Sequence, residues 1–117
     1  MMYFDFTAGN KDYKLRLNTR NIVALEKQLG GNPLSVFGNG DAIPSVTQMV
    51  AVLHQSLQPY HHGITLVDAY DIFDSYLADG NTVTDFILII TEVYKVSGII
   101  KDDKKAAAED EAEPEKN

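Results

Sequence analysis

Three histidines and a run of aspartates are the residues of this chain whose types and spacing could do chemistry. The stretch PYHHGITLVDAYD, residues 59 to 71, sets His61 and His62 just ahead of Asp68 and Asp71, with Asp74 three positions further on and His54 seven positions before His61. Imidazole and carboxylate together suit a hydrolytic metal centre, in which three side chains hold the ion and a fourth position stays open for water. Such a centre needs ligands that converge on one point. Adjacent His61 and His62 point in different directions on most backbones, Pro59 lies between them and His54, and aspartates at three-residue steps drift around a helix into a solvated stripe. The spacing favours a polar joint followed by an exposed helix face. The rival reading is a metal-dependent hydrolase using His54, His61, His62 and an aspartate.

Other catalytic signatures are missing from the sequence. It has no cysteine nucleophile, no G-x-S-x-G elbow and no glycine-rich phosphate loop followed by lysine, and Gly30-Gly31 fits a helix stop better than an anion cradle. The expectation is a protein that is not an enzyme and takes no cofactor. Tyr60, Tyr70, Tyr76 and Tyr94 combine apolar area with a polar tip, which suits anchors at an interface. Their ordinary alternative is a half-buried place in the core.

The elements that position these residues follow from periodicity. Met2, Phe4 and Phe6 alternate with Tyr3, Asp5 and Thr7, and after AGNKD the residues Tyr13, Leu15 and Leu17 alternate with Lys14 and Arg16, which predicts a β-hairpin. Two strands alone are marginal in water, so the apolar face must pack on helices or the edge must pair with another strand, from a second subunit for example. Ile22, Leu25, Glu26 and Leu29 follow helical spacing, with Asn18 or Thr19 to start the helix and Gly30 to stop it. Asn32-Pro33 opens a short turn that would dock Leu34 and Phe37, and GNGDAIP reads as loop. Ser45 with Gln48, Thr65 with Asp68 and Thr82 with Asp85 each match a capping box ahead of an apolar pattern, so three more helices are predicted. The first carries Val46, Met49, Val50, Leu53 and Leu57 in one stripe. The second carries Leu66, Ala69, Tyr70, Phe73 and Leu77, with Asp68, Asp71, Asp74 and Ser75 opposite. The third, Val83 to about Ser97, is apolar nearly all round and is expected to be central or covered by a partner.

The expected fold class is therefore α+β and mainly α, with an N-terminal β-hairpin packed on a bundle of about four helices. Residues 1–100 form one domain, a size that a single core supports, and 101–117 a disordered acidic tail, because KDDKKAAAEDEAEPEKN has no aromatic or branched aliphatic residue to bury. The chain has 117 residues and a net charge of -7, a surplus that repels nucleic-acid phosphates, and its longest aliphatic or aromatic run is FILII at 86 to 90, too short to span a membrane. MMYFDFT lacks the basic flank and long apolar region of a secretory signal, so a cytoplasmic location is expected.

Three blocks, LNTRNIVALEKQLGGNPLSVF, VAVLHQSLQPYHHGITLVDAYDIFDSYL and ILIITEVYKVSGII, together resemble the small tail assembly chaperones of phages and prophages of Gram-positive bacteria, from about Tyr13 to Ile100. The resemblance implies a non-enzymatic helical protein of the host cytoplasm, absent from the finished virion. It would bind the tape-measure protein, keep it soluble and help tail-tube protein polymerise around it. A ribosomal frameshift would give a longer form that recruits the tube protein, this chain being the short form, alone or as a homo-oligomer. Tyr60, His61, His62, Tyr70, Phe86, Ile90 and Tyr94 are the candidate partner-binding residues. A structural tail completion or connector subunit is the alternative from another class.

Overall fold

A computed structural model describes residues 2–38 and 43–102. Strands β1 (Phe4–Ala8) and β2 (Lys11–Leu15) pair antiparallel with Phe6 opposite Tyr13 and Phe4 opposite Leu15. The turn between them is two residues long. Gly9 and Asn10 both take positive φ, 59° and 65°, the pair of left-handed conformations that a tight hairpin turn matching the strand twist requires. The tip is tied down from outside the sheet, since the Gly9 amide donates to the Asp79 carboxylate at 2.8 Å.

Four α-helices follow among the described residues: α1 (Thr19–Leu29), α2 (Val46–Leu57), α3 (Leu66–Ala78) and α4 (Asp85–Val96), with a 3₁₀ turn at Pro33–Phe37 between the first two. Their starts are local and side-chain driven. The Ser45 and Thr65 hydroxyls each accept from the amide three residues on, while Gln48 and Asp68 reach back to the Ser45 and Thr65 amides at 2.9 Å. Thr82 and Asp85 make the same reciprocal pair, but the chain takes a turn at Val83 and Thr84 before regular α-helix begins at Asp85. Helix α1 ends as its glycine predicts, with Gly30 left-handed at φ 73° and its amide on the Glu26 carbonyl oxygen at 2.8 Å.

The apolar face of the hairpin is covered by helices of the same chain. Phe6 enters an aromatic cluster with Tyr76 and Phe86, at centroid separations of 5.3 and 6.0 Å, and Phe73 closes it against Phe86 at 5.1 Å. Leu15, Leu17 and Leu25 are fully buried beside Met49, Leu53 and Leu57 of α2. Burying one such side chain stabilises the fold by roughly 1.5–3 kcal/mol, so this contiguous core is what holds the hairpin in place.

The interior differs from expectation in three places. Helix α2, and not the more apolar α4, is the most enclosed element: Met49, Val50, Ala51, Val52, Leu53, Ser56 and Leu57 are all buried, whereas α4 leaves Leu88 69% exposed. Helix α2 packs against α1, α3, α4 and β2, so neighbours close on several of its faces. The 3₁₀ turn buries Pro33 and Val36 and leaves Leu34 exposed, because three residues per turn put positions 33 and 36 on one side. Val46, at the start of the predicted stripe of α2, is exposed as well.

The C-terminal end of α4 returns to the beginning of the chain. Arg16 Nη1 donates to the carbonyl oxygens of both Met2 and Val96 at 2.8 Å, its Nε donates to Asn18 Oδ1, and the Leu17 amide donates to Ser97 Oγ. Ile99 and Ile100 then pack against the core. The expected acidic tail lies outside the described residues from 103 onward, as do residues 39–42 of the predicted loop. No helix among the described residues is long and apolar enough to cross a membrane.

Candidate interaction site

The His-His stretch lies in the connection between α2 and α3, where it seals the outer edge of β2. In the ladder register, β2 turns the amides of Lys14 and Arg16 away from β1. Each finds an acceptor in the following connection or in α2: Lys14 N–H donates to His61 Nε2 at 2.9 Å and Arg16 N–H to the Ser56 carbonyl oxygen at 2.9 Å. An accepting Nε2 requires the neutral ring to carry its proton on Nδ1. Burial, and secondarily the nearby Lys14 charge, hold the imidazole below its ordinary pKa, which keeps the ring in that accepting form. Tyr13 stands edge-on to the His61 ring at 5.3 Å, its own phenol pushed up by burial.

Tyr60, one residue earlier, belongs to the opposite face of the hairpin. Its ring meets Tyr3 edge to face at 5.4 Å, and Lys14 Nζ sits 4.9 Å from the Tyr3 centroid and 5.8 Å from that of Tyr60. Tyr60 keeps 39% of its surface exposed, so this aromatic and cationic corner is presented to solvent in a fixed orientation. Gln58 fixes the loop itself, its side-chain amide donating to the carbonyl oxygens of His54 and Ile64.

His62 faces a different neighbour. With Gln58 and Pro59 it forms one wall of an open groove of about 1060 Å³, whose other wall is Asn18 and the face of α1 from Thr19 to Lys27. Val23, Ala24 and Pro59 supply apolar lining, Arg20, Lys27 and His62 are ionisable groups of its wall, and no acidic side chain among the described residues lines it. Both Val23 and Lys27 are exposed there. The groove gathers cationic side chains on a protein whose net charge is -7.

Of the seven expected partner-binding residues, the consecutive Tyr60, His61 and His62 sit in one connection but turn to three different neighbours: Tyr3, the Lys14 amide and the α1 groove. Tyr70, 45% exposed, lines a separate shallow groove with Leu29, Ala51 and Leu66. Phe86, Ile90 and Tyr94 are corrected: they are fully buried and present nothing to a partner in this fold. The Tyr94 hydroxyl donates to the Pro33 carbonyl oxygen at 2.7 Å, and Phe86 is the hub of the aromatic cluster. Their apolar pattern marked residues that had to be covered, and the chain's own helices and hairpin cover them.

The imidazoles do not converge. His61 is committed to the Lys14 amide and His62 lines the α1 groove, while Asp68, Asp71 and Asp74 are exposed along α3. Among the described residues no three of His, Asp and Glu assemble into a metal-ligand set. Tyr3, Lys14, Arg20, Val23 and Lys27 were not singled out from the sequence as site residues. Strand alternation did place Tyr3 and Lys14 on the face away from the core, and a two-residue turn would have fixed the register that makes them neighbours. The groove residues carried no such signal, since nothing local to α1 says that the α2–α3 connection packs beside it.

Residues 5–116 match the model of DUF6096, a family of unknown function, and the chain belongs to that family. No curated protein and no solved structure matches the chain.

Proposed function

We propose that this protein is a phage tail assembly chaperone, a binding protein without catalysis. It takes up the tape-measure protein in the host cytoplasm, keeps it soluble and promotes tail-tube assembly around it. The observation that carries a binding role is the exposed surface built around the α2–α3 connection: the Tyr3–Lys14–Tyr60 corner and the apolar, cation-bearing groove along α1. An amphipathic helix laid in such a groove would bury its apolar face on Val23, Ala24 and Pro59, with acidic residues meeting Arg20 and Lys27. The identity of that partner rests on the resemblance of the three sequence blocks. Recruitment of the tail-tube protein then falls to a longer, frameshifted product.

Co-expression with the tape-measure protein of the same genome is the test. The pair should co-purify, and the soluble yield of the tape-measure protein should rise above that obtained without the chaperone. Tyr60→Ala combined with Lys27→Glu should lower retention while the purified variant keeps its dispersed amide spectrum. Yield and retention at background with the wild-type chain would rule the reading out, and recovery of the protein from mature virions would favour a connector subunit instead.

A further inference from the structure

We propose that the outer edge of β1 is a docking site for an extended segment of a partner protein, with lysine or arginine at alternate positions and apolar residues between, added antiparallel as a third strand. The hairpin treats its two edges differently. In the ladder register the amides and carbonyls of Asp5 and Thr7 point away from β2, just as the amides of Lys14 and Arg16 point away from β1. The β2 edge is closed by His61 and by the Ser56 carbonyl oxygen. On the β1 edge Asp79 takes the Gly9 amide at the tip, but no hydrogen bond among the described residues reaches the outward backbone groups of Asp5 and Thr7, and both residues are exposed. Free donors and acceptors in a row are what an added strand pairs with, and β1 has neither a proline nor a bulge to prevent it.

Charge selects the occupant. Lys14 stands across the ladder from Asp5, yet its ammonium turns to the Tyr3 and Tyr60 rings, and no ion pair among the described residues includes Asp5. The carboxylate of Asp5 therefore faces solvent in the middle of the open edge, with Asp79 beyond it at the tip. An antiparallel strand bonded to Asp5 and Thr7 sets its own bonded residues directly opposite them, with side chains on the same outer face. A lysine or arginine there meets Asp5. The residues between fall opposite Phe4, Phe6 and Ala8 on the core side, where half-buried Phe4 has apolar surface left to cover. The same carboxylate deters indiscriminate pairing with apolar or acidic strands. It also disfavours a second copy of β1, which would bring another Asp5 and another net charge of -7 to this edge.

The test uses the full chain and capped peptides of alternating lysine and valine. The Asp5 and Thr7 amides should exchange freely in the isolated protein and become protected when the peptide binds, while exchange at Lys14 and Arg16 stays as it was. An added antiparallel strand turns its lysine amides towards β1, so N-methylation of the lysines should abolish protection and N-methylation of the valines should keep it, at identical charge. Asp5→Lys, a change at an exposed position, should weaken the lysine peptide about tenfold and favour a peptide of alternating glutamate and valine. Equal binding of the two methylated peptides, or protection arising elsewhere on the surface, would overturn the docking. So would protection of Asp5 and Thr7 without peptide: if it grows with protein concentration the occupant is a second copy, and if it does not the chain closes its own edge. The assay contains no tape-measure protein, so it succeeds or fails separately from the co-expression test.

Discussion

The Tyr94 hydroxyl, on the last helix, bonds the carbonyl oxygen of Pro33 at 2.7 Å inside the core, joining positions 61 residues apart. Pro33 opens the 3₁₀ turn after α1, and the Phe37 ring at its end meets Tyr94 edge-on at 5.8 Å. Removing the hydroxyl alone keeps the ring and strands a buried acceptor. Tyr94→Phe should therefore cost about 1–3 kcal/mol, the desolvation of an unpaired carbonyl, and lower the urea midpoint with little change in slope. An unaltered midpoint would mean that the bond contributes nothing net.

Tyr94 also sets an alkaline limit. Burial pushes its phenol well above the ordinary value near 10, and Tyr13 and Tyr76 move in the same direction for the same cause. A pKa raised on folding means that the native state holds protons which the unfolded chain releases. That stability is fully present below about pH 10 and declines as pH rises above it. Tyrosinate absorbance should appear together with loss of the far-ultraviolet helix signal, and Tyr94→Phe should make the decline shallower.

His61 gives the opposite sign at the acid side. Its pKa is lowered in the fold, so the unfolded chain takes up a proton first as pH falls below the ordinary histidine value of about 6.5, and stability drops from there down towards the folded pKa. Protonation also turns Nε2 from acceptor to donor and breaks its bond with the Lys14 amide. Hydrogen exchange at Lys14 should accelerate through this window. His61→Gln, whose amide oxygen can reach the same donor, should keep the Lys14 amide protected and remove the pH dependence. His61→Ala should expose it at every pH.

Arg16 ties the segment just ahead of β1 to the end of α4. Arg16→Met keeps the aliphatic stem but leaves the Met2 and Val96 carbonyls without their donor. Hydrogen bonds to a charged group contribute about 1.5–3 kcal/mol each, and part of that is recovered from water at exposed Met2. A loss of about 2 kcal/mol in chemical denaturation is expected, together with faster proteolysis near Ser97. Arg16→Lys should recover only part of it, since one ammonium lacks the fork that serves three acceptors.

The elements whose causes are local were legible in the sequence. Reciprocal bonds at Ser45, Thr65 and Thr82 span three residues each, alternation of Phe6 and Tyr13 with their neighbours is a property of any strand, and a glycine at position 30 stops α1 by its own conformational freedom. Choices set by tertiary contact were not. Val36 or Leu34 could have turned inward from the same turn, and Tyr76, placed on no predicted stripe, is buried by Phe6 from the hairpin. The candidate site suffered most. Phe86, Ile90 and Tyr94 read equally well as core or as a receiving surface, because a hydrophobic period says that a face must be covered and not by what. His61 found its role from Lys14, 47 positions earlier.

One guanidinium nitrogen grips the carbonyls of both Met2 and Val96, so the backbone's departure and return points are neighbours. A circular permutant joining these points by a short glycine-rich bridge, with new ends opened at Gly38, should keep the same topology.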